Sequence, residues 1–188
     1  MTGLLRASTL VGKPVVTLGG ESPLEVKDVV FDTVSGELLG FALRNKGFLG
    51  GPVRKYLPWK AVHGLGPDAV MIGDESVFSG DAGGDLEGGG DVIGNRVLTE
   101  SGTDLGEVVE VVIATGSQAD VVGFEIKPVA SGRGAGGQHV FIPMPDTLAI
   151  SGENIIVPDS ATDFVRNDLS GFGGAVAEFR SALYGRDI

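Results

Sequence analysis

The chain has 188 residues, enough for one medium domain or two small ones, and no cysteine, which excludes disulfides and thiolate chemistry. The formal net charge of −11 arises within residues 79–188, where acidic surface disfavours nucleic-acid binding, whereas residues 1–78 are neutral. No stretch approaches the roughly 18 apolar residues of a spanning helix, and the opening residues lack a secretory signal, so we expect a cytoplasmic protein.

The first part of the chain shows the pattern of short β-strands. We predict strands near residues 13–18, 25–33, 37–44, 54–58 and 69–73. Val29 and Phe31 alternate with polar or charged neighbours, which indicates a buried face. Gly36 sits in a Ser-Gly hairpin signal between two of these strands. Five short strands with closely spaced turns predict a small barrel, because closure removes exposed edges.

A basic and partly apolar segment spans residues 44–60. It holds five of the fourteen basic residues of the chain, and Phe48 and Leu49 lie among them. The segment predicts a surface that binds an acidic protein, an anionic membrane surface or RNA. The alternative is a solvated hairpin whose Phe48 folds back onto the barrel. The predicted partner-binding residues are Arg44, Lys46, Phe48, Leu49, Arg54, Lys55, Trp59 and Lys60.

Trp59 has two interpretations of its own. It follows Pro58 at a strand end and has Lys55 and Lys60 nearby, so it is placed to stack on a base. A single tryptophan in a small β unit more often fills the core.

Residues 79–91 have the composition of a linker, since glycine denies the backbone a stable conformation and acids keep it solvated. The acids Asp81, Asp85, Glu87 and Asp91 fit neither an EF-hand loop nor a calcium-binding nonapeptide repeat. We therefore interpret the segment as a soluble spacer.

The pattern of the first part then recurs. Strands are predicted near residues 95–99, 106–114, 121–127, 138–142 and 154–157, and the offset between matched residues grows only from 82 (Gly12 to Gly94) to 85 (Pro58 to Pro143). So small a drift indicates loop insertions in one shared scaffold. The predicted organisation is a first barrel at 1–78, a linker at 79–91, a second barrel at 92–165 and a C-terminal helical segment at 166–188.

The last segment changes period. Four apolar residues lie at i, i+4, i+7 and i+11, which is one stripe of a helix that ends before Gly185. We expect this helix to cap a barrel or a dimer seam. The predicted self-association residues are Phe172, Val176, Phe179 and Leu183.

These features together resemble the PRC-barrel family. The resemblance rests on Val11-Gly-Lys-Pro-Val15, on Leu24-Glu-Val-Lys-Asp-Val-Val-Phe-Asp32 with its hairpin, and on Leu57-Pro-Trp-Lys-Ala-Val62. The second copy has Met144-Pro145-Asp146 where the first has Trp59. The resemblance implies a scaffold: PRC barrels occur in the photosynthetic reaction-centre H subunit, in a ribosome-maturation factor and in small interaction modules, and none is known as a catalyst.

Sites for catalysis, metals and cofactors find no support. His63 and His139 occupy non-equivalent places in the repeat, and cysteine is absent, so no metal site is predicted. The glycine-rich segment 131–137 precedes a strand rather than a helix and lacks Gly-Lys-Ser/Thr, which argues against a nucleotide site. A Gly-x-Ser-x-Gly elbow is also missing.

We therefore expect a non-enzymatic scaffold: an all-β protein with two tandem PRC-like barrels, a Gly/Asp linker and a C-terminal amphipathic helix. Its expected partners are another protein and a second copy of the chain. The alternatives are an accessory factor in ribosome or RNA maturation and a peripheral adaptor on an anionic membrane.

Overall fold

The structure is a computed structural model that describes residues 3–47, 53–80, 89–116, 118–129, 137–146 and 149–185. These residues form two sheets and one α-helix, α1 (Leu169–Tyr184). The strands are β1 (Gly3–Arg6), β2 (Pro14–Thr17), β3 (Leu24–Phe31), β4 (Leu38–Asn45), β5 (Lys55–Pro58), β6 (Val62–Leu65), β7 (Val70–Ile72), β8 (Arg96–Thr99), β9 (Asp104–Thr115), β10 (Asp120–Pro128), β11 (Val140–Pro143), β12 (Ala149–Ser151) and β13 (Asn154–Val157). All ten predicted strands and the helix are confirmed, whereas β1, β6 and β12 were not predicted.

The chain forms two compact units that do not follow chain order throughout. The first unit comprises Ala7–Asp32 and Leu38–Asp91, and the second comprises Met1–Arg6, Thr33–Glu37 and Val92–Ile188. Strand β1 and the turn after β3 therefore belong to the second unit, although both precede most of the first. The predicted linker lies largely outside the described residues, and it stays a prediction.

The first unit is a six-stranded sheet in the order β5-β4-β3-β2-β7-β6. Strands β2 and β7 are parallel, and the other neighbours are antiparallel. Alternate residues of the strands supply the core, as period two requires. Its fully buried side chains include Val15, Val26, Phe31, Phe41 and Leu57.

The second unit repeats this topology with the order β11-β10-β9-β8-β13-β12 and the parallel pair β8 and β13. One strand is added. Strand β9 pairs with β8 near its start, through Arg96 and Glu107, and with β1 near its end, through Leu5 and Ile113. Closure of either sheet into a barrel stays a prediction.

In both units the chain returns to the edge strand after a 3₁₀ helix. Tyr56 of β5 exchanges two backbone hydrogen bonds with Ser79, at 2.9 and 3.0 Å, and Phe141 of β11 does the same with Arg166, at 2.7 and 3.0 Å. These bridges establish which residues of the two copies correspond. Tyr56 corresponds to Phe141, and the residue before Ser79 corresponds to the residue before Arg166.

An aromatic ring lies over a glycine in each unit. A Cβ atom at Gly40 would stand 2.7 Å from the Tyr56 hydroxyl oxygen and would collide with the Leu57 carbonyl oxygen. The matching Gly123 is covered from α1, because a Cβ atom there would collide with the ring of Phe172. Both positions therefore require glycine for close approach.

Gly40→Ala is expected to destabilise the first unit by about 1–3 kcal/mol, since the new methyl group overpacks the contact with Tyr56 and β5. Fluorescence of Trp59, the single tryptophan of the chain, follows urea unfolding of this unit. The control is Gly73→Ala, where no atom lies within 4 Å of the added Cβ. Equal midpoints for the two variants would contradict the packing of Tyr56 on Gly40.

Helix α1 packs on the sheet of its own unit. Asp168 caps its start, because the carboxylate oxygen accepts a hydrogen bond from the Gly171 amide at 2.8 Å. Phe172 lies 5.5 Å from Phe141, and Phe179 lies 5.5 Å from Phe164, between ring centroids.

The apolar stripe of α1 is therefore used within the unit. Phe172 and Phe179 are fully buried and Val176 nearly so, while Leu183 is half-buried. Of the two expected roles of the helix, covering a sheet is the one observed. These three side chains are thus buried within the unit, and self-association through the stripe stays a prediction.

Candidate binding cleft

Three cationic side chains of the first unit line one cleft of about 260 Å³, and we call it the basic cleft. Strands β4 and β5 build its floor, with Ala42 opposite Tyr56 and Leu43 opposite Lys55. The lining residues are Lys27, Ala42, Leu43, Val53, Arg54, Lys55, Tyr56 and Gly80. None of these described lining residues is acidic.

A β-bulge brings Lys27 to the cleft. The register of β3 against β4 shifts between Val26 and Asp28, which leaves Lys27 as the extra, unpaired residue. A bulged residue departs from the alternation of its strand and re-aims its side chain. The second unit has the same shift, but the matching residue there is Val109.

The surroundings of the cleft leave its basic side chains charged. The Lys55 ammonium lies 5.3 Å from the centroid of the Phe78 ring, a cation–π distance. Burial raises the pKa of the Tyr56 hydroxyl, so the phenol stays neutral at physiological pH. Among the described residues, neither Lys27 nor Arg54 forms a salt bridge.

The other predicted partner-binding residues lie elsewhere. Arg44 faces Glu25 across β3 and β4 and pairs with it at 2.6 Å, so its charge is engaged. Lys46 donates a hydrogen bond to the Ser22 hydroxyl at 3.0 Å. Lys60 is exposed in the 3₁₀ helix Trp59–Ala61. Phe48 and Leu49 lie outside the described residues.

Trp59 packs against the first unit. Its ring is half-buried and meets Phe41 edge-on, with centroids 6.1 Å apart. This contact agrees with the core interpretation more closely than with a free stacking platform. Trp59 is not part of the basic cleft as described.

The second unit has a cleft at the matching place, with a different charge pattern. Glu125, His139 and Phe141 stand where the first unit has Ala42, Arg54 and Tyr56, and β1 contributes Arg6. Arg6 pairs with Glu125 at 2.7 Å, and His139 contacts the other oxygen of Glu125 at 3.2 Å. A carboxylate thus contacts both Arg6 and His139 in this cleft, whereas the described lining of the basic cleft contains no carboxylate.

Two further searches concern the described residues only. They contain no group of three or more histidine, aspartate or glutamate side chains placed to hold a metal ion. None of their helices is both long and apolar enough to cross a membrane.

Comparison with protein families gives a match in each half of the chain. The family model of the PRC-barrel domain matches residues 3–74 and again residues 84–163. No curated protein matches the chain. The two matched ranges follow the repeat that both sheets display.

Proposed function

Since the chain belongs to the PRC-barrel family, we propose that it is a non-catalytic protein-interaction module whose basic cleft binds an acidic segment of a partner protein. PRC-barrel domains are generally protein-interaction modules. The observation that carries the proposal is the convergence of Lys27, Arg54 and Lys55 on one cleft whose described lining contains no acid.

The chemistry of the cleft favours carboxylates. Arg54 offers a planar fork of donors that matches a carboxylate in two hydrogen bonds, and the two lysines add point charges. A volume of about 260 Å³ holds one or two side chains rather than a large cofactor. The rest of the protein is acidic, which keeps an acidic partner away from other surfaces.

The same charges also suit phosphate, so the two alternatives remain as proposals: an RNA or ribosome-associated factor and an adaptor on anionic membranes. The first alternative predicts that RNA binds more tightly than an acidic peptide, and the second predicts the same of an anionic membrane. Self-association and a cytoplasmic location likewise stay predictions.

Binding of a short fluorescein-labelled peptide of glutamate and serine, measured by anisotropy at physiological ionic strength, tests the proposal. The variant Arg54→Glu/Lys55→Glu is expected to weaken binding about tenfold or more, because it places two carboxylates in the cleft. The variant Lys46→Glu/Lys60→Glu makes the same change of charge outside the cleft, and it is expected to change affinity about twofold at most.

The competing outcomes are separable. Equal loss in both variants would mean that overall charge, not the cleft, attracts the peptide. Binding of single-stranded RNA or of phosphatidylserine vesicles in preference to the peptide would favour the corresponding alternative. If none of the three probes binds the wild type, the basic cleft is not a binding site.

A further inference from the structure

The second unit contains an apolar cavity of about 210 Å³ that is separate from the cleft lined by Arg6 and Glu125. We propose that this cavity receives the aromatic side chain of a protein partner, presented by a segment with neutral or basic residues beside the ring. We call it the ring pocket. It lies in a different unit from the basic cleft and does not depend on the function proposed for that cleft.

The walls of the ring pocket are mostly hydrocarbon. Ile126, Val140 and Ile142 are at most 2% exposed and form its inner part, while Leu105 and Val165 are half-buried. Thr103, Asp104 and Thr162 complete the lining, but most of the wall is apolar, so the cavity favours apolar groups over water or ions.

Comparison of the two copies indicates which side chain of a ligand fits the ring pocket. The residue before the Ser79 bridge in the first unit is Phe78, and the residue before the Arg166 bridge in the second is Val165. Both cap the end of a 3₁₀ helix in extended conformation, with φ/ψ of −71/129° and −61/137°. The second copy therefore has a smaller side chain where the first places its own phenylalanine ring.

A residue that neighbours this position also differs between the two copies. Lys55, which contacts the Phe78 ring, corresponds to Val140, which lines the ring pocket. The pocket wall in the second unit is thus apolar where the first unit has a cation against its own ring. A ring supplied from outside would bury its surface on Val140 and Val165, and burial of apolar surface is the driving force.

The charge beside the ring pocket predicts which residues flank the aromatic residue of the ligand. Asp104 lines the ring pocket but pairs with Arg96, so the carboxylate that selects charge is that of the exposed Asp163, which follows the lining residue Thr162. The Asp163 carboxylate repels an aromatic acid or an acidic segment and attracts lysine or arginine beside the ring. The expected ligand is therefore the opposite in charge to that of the basic cleft.

Methyl-labelled full-length protein, titrated with Ac-Lys-Phe-Lys-NH2 and followed by NMR, tests the ring pocket. We expect chemical-shift changes at the methyl groups of Ile126, Val140 and Ile142, and weaker binding of Ac-Glu-Phe-Glu-NH2. Val165→Phe fills the pocket from within and is expected to weaken binding about tenfold or more. Val34→Phe makes the same change at an exposed site of the second unit and is expected to leave the affinity unchanged.

If Val165→Phe does not fold, the reciprocal variant Phe78→Val still tests the proposal. Phe78→Val is expected to open the matching place in the first unit and to produce new shifts at the methyl groups of Leu43 and Leu57. Absence of pocket shifts with both peptides, or unchanged binding by a folded Val165→Phe, would overturn the proposal. Shifts with toluene but not with either peptide would also overturn it, because the ligand would then be a free aromatic molecule.

Discussion

Phe172→Ala is expected to lower the free energy of unfolding of the second unit by about 3–5 kcal/mol, the usual cost of removing a fully buried phenylalanine. The ring is 0% exposed, packs on Phe141 and stands over Gly123. Removing it leaves a cavity that the helix cannot refill, because a glycine lies on the opposite side. Hydrogen exchange of β9 and β10 amides measures the loss.

Leu183→Ala is the matched control on the same helix stripe. Leu183 is half-buried, so we expect a cost of about 1 kcal/mol or less. Trp59 fluorescence reports the first unit and serves as the internal reference. If Phe172→Ala instead changed the molecular mass in solution without changing stability, the stripe would be a self-association surface and its packing on the sheet would be wrong.

Deletion of residues 1–6 is expected to destabilise the second unit, not the first, by about 2–4 kcal/mol. Strand β1 pairs with β9 at four positions, from Gly3 with Thr115 to Arg6 with Val112. The deletion removes these backbone hydrogen bonds and the packing of Leu4 on the cluster beneath α1. Faster hydrogen exchange at residues 112–115 is the measurement.

Two controls accompany the deletion. Arg6→Gln separates the ion pair with Glu125 from the strand, and its half-exposed side chain predicts a small effect. Amides of Val26 and Leu43 in the first unit should exchange as in the wild type. Acceleration confined to the first unit would contradict the assignment of β1 to the second.

Strands with alternating apolar residues and glycine turns could be predicted, because period two and turn chemistry are local properties. Strands β1, β6 and β12 could not. Strand β6 has a register shift between Val62 and Gly64 that breaks the alternation. The partner of strand β1 lies far along the chain, so no local pattern indicates the pairing.

The candidate site was predicted in part for a similar reason. Arg54 and Lys55 could be grouped because they are adjacent in sequence. The contribution of Lys27 depends on a bulge, and the neutralisation of Arg44 by Glu25 depends on the register of two strands. Neither the bulge nor the register is visible without the pairing of β3 with β4.

The role of the helix likewise depends on contacts that the sequence does not show. The stripe on α1 could be predicted from its period, but a period does not say whether the stripe meets its own sheet or another chain. The small residue Gly123, which accommodates Phe172, is the feature that decides between the two, and its role appears only when both are placed together.

The position of β1 has a kinetic consequence. Gly3 is 112 residues ahead of Thr115, so a ribosome delivers this strand long before the backbone to which it pairs. All residues of the first unit have been synthesised by residue 91, whereas β1 stays without its partner until β9 emerges and the second sheet is complete only with β13. Closing so long a loop is slow relative to forming neighbouring hairpins. Refolding should therefore show two phases, with recovery of Trp59 fluorescence preceding protection of the β9 amides.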